Sequence, residues 1–302
     1  MSQTRTPRVP AESHTDSNVR RDPLVVKIKW KSHGDTRNVA EFPASGGYKR
    51  LILSTLAEGP QVRLFEGQAA VITGGGTGVG AALAIALAAS GASIYLLGRR
   101  LNKLELVAAK ARSLGVNAAC CSADISSSSR LREGTQRIKA ELGHVDILVQ
   151  NAATYVAGSI EDAELSDFDK QYQTNVRAPY ALTQALLPML KARHGQVVFV
   201  NSSSALTAKP MTAQYDSTKH ALKAIADSLR GEINRHGVRV LSVYLGRTAS
   251  EMQERIYQME GKPYRPELLL QPNDVASIIV SALSLSRTAE VTDISIRPMI
   301  KS

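Results

Sequence analysis

Two cysteines, one tryptophan and an aromatic content of 5% leave this 302-residue chain poor in the residues that build disulfide frameworks, metal clusters and base-stacking platforms. Cys120 and Cys121 are adjacent. One such pair supplies neither a disulfide framework nor metal-ligand spacing, so no metal site is expected, and the two read as buried thiols of a cytoplasmic protein. The formal charge of +10 favours anionic partners as a class: nucleic acid, acidic membranes, dinucleotide phosphates or acidic carrier proteins. A nucleic-acid binder would interleave aromatic with basic residues. Only Trp30 stands among lysines, so no nucleic-acid partner is expected.

Long hydrophobic runs are also lacking. No apolar stretch follows Arg5, Arg8, Arg20 and Arg21, which excludes an export signal in the stretch 1–23. Residues 67–98 carry no charge and have the length of a membrane span, but Gly74, Gly75, Gly76, Gly78, Gly80 and Gly91 interrupt them. The helix-like part, 81–90, is too short to cross a bilayer, and no membrane span is expected.

What is present is a rhythm. Short β-branched or apolar runs at 69–73, 93–97, 118–121, 147–150, 197–201, 239–244 and 291–296 alternate with segments of helical period. Those segments lie at about 78–90, 102–114, 128–142, 167–191, 213–235 and 273–285. The pattern predicts one doubly wound, parallel-sheet α/β domain of about seven strands with helices on both faces, spanning 67–302. Residues 1–66 lack the rhythm and form an N-terminal extension of disorder-like composition at its start. Within it, Val26, Ile28 and Trp30 alternate with Lys27, Lys29 and Lys31, the period of a half-buried strand; a docked edge strand and a disordered tail both remain open.

The first strand of the domain runs into Thr73-Gly74-Gly75-Gly76-Thr77-Gly78-Val79-Gly80, followed by an alanine-rich helix. A glycine-rich turn between strand and helix brings backbone amides close to a pyrophosphate, with the helix terminus adding its dipole. Thr73, Gly74, Gly76, Thr77, Gly78, Val79 and Gly80 are therefore candidate cofactor contacts. The second strand ends in Gly98-Arg99-Arg100. An acid there would bind the ribose 2′-hydroxyl of NAD, whereas Arg99 suits the 2′-phosphate of NADP, so NADP(H) is expected over NAD(H).

Tyr215 and Lys219 stand four apart at the start of a helical segment, about 6 Å apart along its axis and on one face. A phenol is a sluggish acid or base at neutral pH, and a nearby ammonium is expected to lower its pKa. Pro179 lacks an N–H, so the Asn175 carbonyl loses its i+4 partner and a kink is expected in 167–191, a helix opened by Ser166 and Asp169 as a capping box. The freed carbonyl would then hold a water leading toward Lys219.

From about Glu66 onward the chain resembles the short-chain dehydrogenase/reductase family. Thr73, Gly74, Gly78 and Gly80 match its TGxxxGxG motif, and Tyr215 and Lys219 its YxxxK motif. Ser202 matches the catalytic serine, with Ser203 and Ser204 one and two places away; Asp124 the residue near adenine; Asn151 and Ala152 the NAG element; and Asn175 the catalytic asparagine. The resemblance implies that Tyr215 is the general acid or base, that Ser202 holds the same substrate oxygen, and that Lys219 binds the nicotinamide ribose. Asn175 would position a relay water, and Gly246 and Thr248 would lie beside the cofactor. It also implies a homodimer or homotetramer, a small-molecule or carrier-linked carbonyl substrate, and a substrate lid at about 247–270. Three residues depart from the pattern: Gln150 and Ala153 in the NNAG element, and Leu245 in place of the proline before Gly246. A catalytically silent NADP(H)-binding regulator with the same fold is the alternative, which the intact Ser202, Tyr215 and Lys219 disfavour.

Overall fold

The computed structural model describes residues 26–28, 40–42 and 63–300. The chain divides into two units, Met1–Gln61 and Val62–Ser302. In the first, β1 (Val26–Ile28) pairs antiparallel with β2 (Ala40–Phe42), Val26 opposite Phe42. The remainder of the strand expected there, including Trp30, lies outside the described residues. The second unit begins a few residues before the expected boundary at 66/67, because Phe65 is buried in the core and its N–H donates to the Ser90 carbonyl.

This unit is built on β3 (Ala69–Thr73), β4 (Ser93–Gly98), β5 (Ala118–Ser122), β6 (Ile147–Gln150), β7 (Gln196–Ser202), β8 (Arg239–Leu245) and β9 (Asp293–Ile296). They form one sheet in the order β5-β4-β3-β6-β7-β8-β9, every pair parallel. Parallel strands need crossovers. Helices α1 (Gly78–Ala89), α2 (Leu101–Ser113), α3 (Ser128–Glu141), α4 (Leu165–Tyr172), α5 (Ala178–Ala192) and α6 (Ala213–Ile233) provide them as far as β8. Two apolar cores result, one on each face: Ile72, Leu83, Leu96 and Ile279 in one, Val71, Leu148, Phe199 and Leu222 in the other. The central strands are buried on both faces, which is why they read as continuous apolar runs rather than as alternating ones. The strand order reverses between β3 and β6, and such a switch point opens a crevice at the C-terminal strand ends.

Two expectations about 167–191 are corrected. The capping box does not form: α4 starts at Leu165 behind Glu164, which makes no side-chain cap, and Ser166 and Asp169 lie inside the helix. The kink is replaced by a five-residue π-turn, Gln173–Arg177, after which α5 begins with Pro179 in its first two positions. There a missing N–H is tolerated, and the wider turn absorbs the register change that a kink would have taken. The expected lid contains a helix of its own, α7 (Glu251–Met259), before α8 (Pro272–Leu283) returns to the core. Among the described residues no helix is long and apolar enough to cross a membrane, and no cluster of three or more His, Cys, Asp or Glu could hold a metal ion.

Candidate active site

The crevice at the switch point is a cleft of about 690 Å³. At one end the glycine turn forms its floor. Gly74 takes φ +66°, a conformation open to glycine at little strain, and a Cβ on Gly80 would collide with the Gly74 carbonyl oxygen. Gly80 thus packs the helix onto the turn, while Gly74, Gly76, Thr77, Gly78 and Val79 line the cleft. No side chain caps α1 and no acid sits in its first turn, so its terminal N–H groups face the cleft unclaimed by side chains. Thr73 and Gly80, both expected as cofactor contacts, do not line it. The buried Thr73 hydroxyl instead accepts the N–H groups of Asn151 and Ala152 at 2.9 and 3.1 Å, locking the loop that follows β6 against the turn. Asn151 adds a bond from Nδ2 to the Thr73 carbonyl at 2.9 Å and lines the cleft with Ala152.

Arg99, Arg100, Lys103 and Asp124 line the wall next to the turn. Arg100 is engaged there, with Nη1 2.7 Å from Glu251 Oε2 on α7 and Nη2 3.3 Å from the Thr77 hydroxyl. Arg99 is exposed beside it. Asp124 accepts the N–H and hydroxyl of Ser126 at 3.0 and 2.7 Å, which holds its carboxylate in a tight turn. A dinucleotide fits this end of the cleft: the glycine cradle is closed to side chains at Gly80, the helix terminus offers N–H donors, and the wall is cationic.

Ser202, Tyr215 and Lys219 meet at the other end, with Gly246 and Thr248 beside them. β7 delivers Ser202 at its last residue, paired with Leu245 across the sheet, and the Ser202 hydroxyl accepts the Ser204 N–H at 3.2 Å, as expected of a residue at a strand end. α6 carries Tyr215 and Lys219 on one face, Nζ lying 5.6 Å from the centre of the phenol ring. Burial pushes the Tyr215 phenol well above its ordinary pKa and outweighs the Ser202 hydroxyl, which pulls it down. The expected lowering by Lys219 is therefore not what dominates. Burial also brings the Lys219 amine down to about 8, its one bond among the described residues being a long 3.5 Å contact with the Val200 carbonyl.

Asn175 is buried at the π-turn and does not line the cleft. Its side chain is fully engaged: Oδ1 accepts the Thr154 N–H at 2.8 Å, and Nδ2 donates to the Thr154 carbonyl at 2.9 Å and to the Thr218 hydroxyl at 3.1 Å. It braces the segment that carries Tyr155, whose ring packs edge-on to Tyr215 at 4.9 Å. Tyr155 has no local sequence signal; the π-turn that braces it is formed by residues some twenty positions away. The same holds for Arg247, which bonds both oxygens of Glu260 at 2.7 and 3.0 Å and lies 4.7 Å over the Tyr257 ring, fastening the lid to the end of β8. Gln150, in the place of an asparagine, turns into the core and bonds the Pro179 carbonyl and Thr183 hydroxyl.

A doubly wound sheet whose switch-point cleft pairs a glycine cradle with a serine, tyrosine and lysine defines a nicotinamide-dependent oxidoreductase acting on alcohol or carbonyl groups. The sequence pattern of the short chain dehydrogenase family matches residues 68–261, and the chain belongs to that family. An uncharacterized oxidoreductase of Staphylococcus epidermidis is 31% identical to it, over 76% of this chain and 96% of its own. A fatty acyl-CoA reductase of Acinetobacter baylyi is 30% identical over 72% of this chain and 73% of its own. An alcohol dehydrogenase of the archaeon Thermococcus sibiricus, complexed with 5-hydroxy-NADP, is 26% identical, with a TM-score of 0.71 over 78% of this chain and 98% of that one.

Proposed function

We propose that this enzyme uses NADP(H) to interconvert a carbonyl group and a secondary alcohol, with Tyr215 as acid and base. The observation that carries the proposal is the meeting of Ser202, Tyr215 and Lys219 in one cleft with the glycine turn. When bound, the dinucleotide supplies or takes up a hydride. The chain's own residues handle the oxygen. Tyr215 donates its proton to the carbonyl oxygen in reduction and recovers it in oxidation. The protonated phenol favoured by burial suits the donating role. Ser202 holds the same oxygen through its hydroxyl, and Lys219 would bind the nicotinamide ribose. Asn175 acts by position, holding Thr154 and with it the Tyr155 ring.

Arg99 and Lys103 support NADP(H), since both line the cleft beside the glycine turn and cations there would suit a 2′-phosphate. The substrate end, lined by Tyr155, Met252 and Ile256 together with Lys209 and Arg247, suits a partly apolar carbonyl compound. A carrier-linked 3-oxoacyl group is one candidate, in keeping with the likeness to a fatty acyl-CoA reductase. A carbonyl panel followed by NADPH absorbance tests the proposal. Tyr215→Phe is expected to reduce turnover by roughly 10²–10⁴-fold while NADPH affinity is kept. Near-normal turnover in that variant overturns the assignment of Tyr215.

A further inference from the structure

Asp216 follows the reacting tyrosine, takes no part in the scheme above, and is 1% exposed. A carboxylate is rarely buried so completely unless it is bonded. Its Oδ2 accepts the Lys209 N–H at 2.8 Å and the Thr212 hydroxyl at 2.7 Å, whereas Oδ1 has no partner among the described residues. Those two bonds fasten a turn in which Met211 takes φ +67°, a conformation uncommon for a residue with a side chain. On its other side the turn is tied by the Gly158 N–H, which donates to the Met211 carbonyl at 2.9 Å, to the loop that carries Tyr155. Lys209, Thr212 and Tyr155 all line the substrate end of the cleft.

We infer that Asp216 is a positioning residue for this reaction: its carboxylate fixes the Lys209–Thr212 wall of the substrate site and sets a negative charge one residue from the proton-donating phenol. The inference rests on the role proposed for Tyr215. The groups that face the phenol are Ser202 from β7, Tyr155 from the loop after β6, and Lys219 and Asp216 on α6 itself, while Glu260 and Arg247 reach Tyr155 from the lid. After burial, Tyr155 and Asp216 both push the phenol toward its protonated form, Asp216 alone as a charge at neutral pH, and Asp216 acts on Tyr155 in the same direction.

Two variants separate the clamp from the charge. Asp216→Asn keeps an oxygen for Lys209 and Thr212 but removes the charge; Asp216→Ala removes both. With NADPH and a carbonyl substrate turned over by the wild type, the asparagine variant is expected to keep the wild-type KM. The alkaline limb of its kcat/KM profile should move to lower pH, because a phenol relieved of a neighbouring negative charge loses its proton more readily. The alanine variant is expected to raise the substrate KM by about tenfold, as for one lost hydrogen bond to a charged group, with NADPH affinity unchanged. An unmoved pH profile in the asparagine variant overturns the role of the charge, and an unmoved KM in a folded alanine variant overturns the clamp. If the alanine variant fails to fold, a KM raised by asparagine to the same tenfold extent overturns the clamp instead. Tyr215→Phe measured alongside separates the two levels: full activity there removes the tyrosine assignment, whatever the Asp216 variants do.

Discussion

Asp146 and Lys219 are both ionisable and almost fully buried, at opposite ends of the same sheet. Asp146 sits at the N-terminal strand ends with every oxygen engaged. Its Oδ2 accepts the Ala69 N–H at 2.9 Å and lies 3.3 Å from His144 Nε2, its Oδ1 meets Arg193 Nε at 2.9 Å, and its carbonyl receives the Gln196 N–H. Lys219, near the C-terminal ends, bonds through its amine to one carbonyl among the described residues, at a long distance. Gln150 Oε1, in the last residue of β6, and Asp216 Oδ1, on α6, are also buried without partners among the described residues. A satisfied buried group joins strands and helices and stabilises the fold. An under-satisfied one destabilises it, and survives where the surrounding packing over-determines its place and a ligand makes use of it.

Breaking the functional end should therefore affect turnover and spare the fold. Lys219→Met is expected to reduce turnover by roughly 10²–10⁴-fold, the scale of the acid-base catalysis it supports. The same change should raise stability. With its pKa near 8 in the fold and 10.5 as the ordinary value, the buried lysine disfavours folding by roughly 3 kcal/mol at pH 7, where both states are protonated. That penalty fades as pH rises from 8 to 10.5, so the methionine variant's advantage in urea unfolding should be full below pH 8 and gone above 10.5. A less stable variant at pH 7 would break the comparison.

Breaking the structural end should do the reverse. Asp146→Ala leaves the Ala69 N–H unpartnered and should lower the unfolding free energy by roughly 1–3 kcal/mol, with kcat per folded molecule unchanged. A large loss of kcat with little loss of stability would show that the two ends are not separate. A smaller effect is expected from Arg99→Asp, which should shift the ratio of kcat/KM values from NADPH toward NADH by about tenfold, one charge-assisted bond being at stake. A wild type that already prefers NADH would refute the cofactor assignment. Least of all should follow from removing residues 1–60, since strand, turn and catalytic helix all lie beyond the division at Gln61. An insoluble product would show that the extension is required.

The glycine turn and the Tyr215–Lys219 pair were legible because each is local: a strand, a turn and a helix in immediate succession, or two residues one helical turn apart. Strand limits were legible to within about two residues for the same reason, since a run buried on both faces is apolar along its whole length. The lid helix α7 was not, because it is only nine residues long and just Gln253 and Tyr257 of it are buried. Arg99 and Arg100 look alike in sequence and both line the cleft; only the approach of Glu251, 151 positions away, engages Arg100 and leaves Arg99 exposed beside it.

By itself, then, the sequence determined the order of strands and helices, the cradle and the chemistry proposed for Ser202, Tyr215 and Lys219, all of which follow from hydrophobic period and residue type over short spans. Tertiary structure alone decided that Thr73 and Gly80 brace the cleft rather than line it, that Asn175 spends its side chain on Thr154, and that burial rather than Lys219 governs the Tyr215 phenol. Those outcomes depend on desolvation and on bonds between distant segments, quantities that exist only once the chain has closed around them.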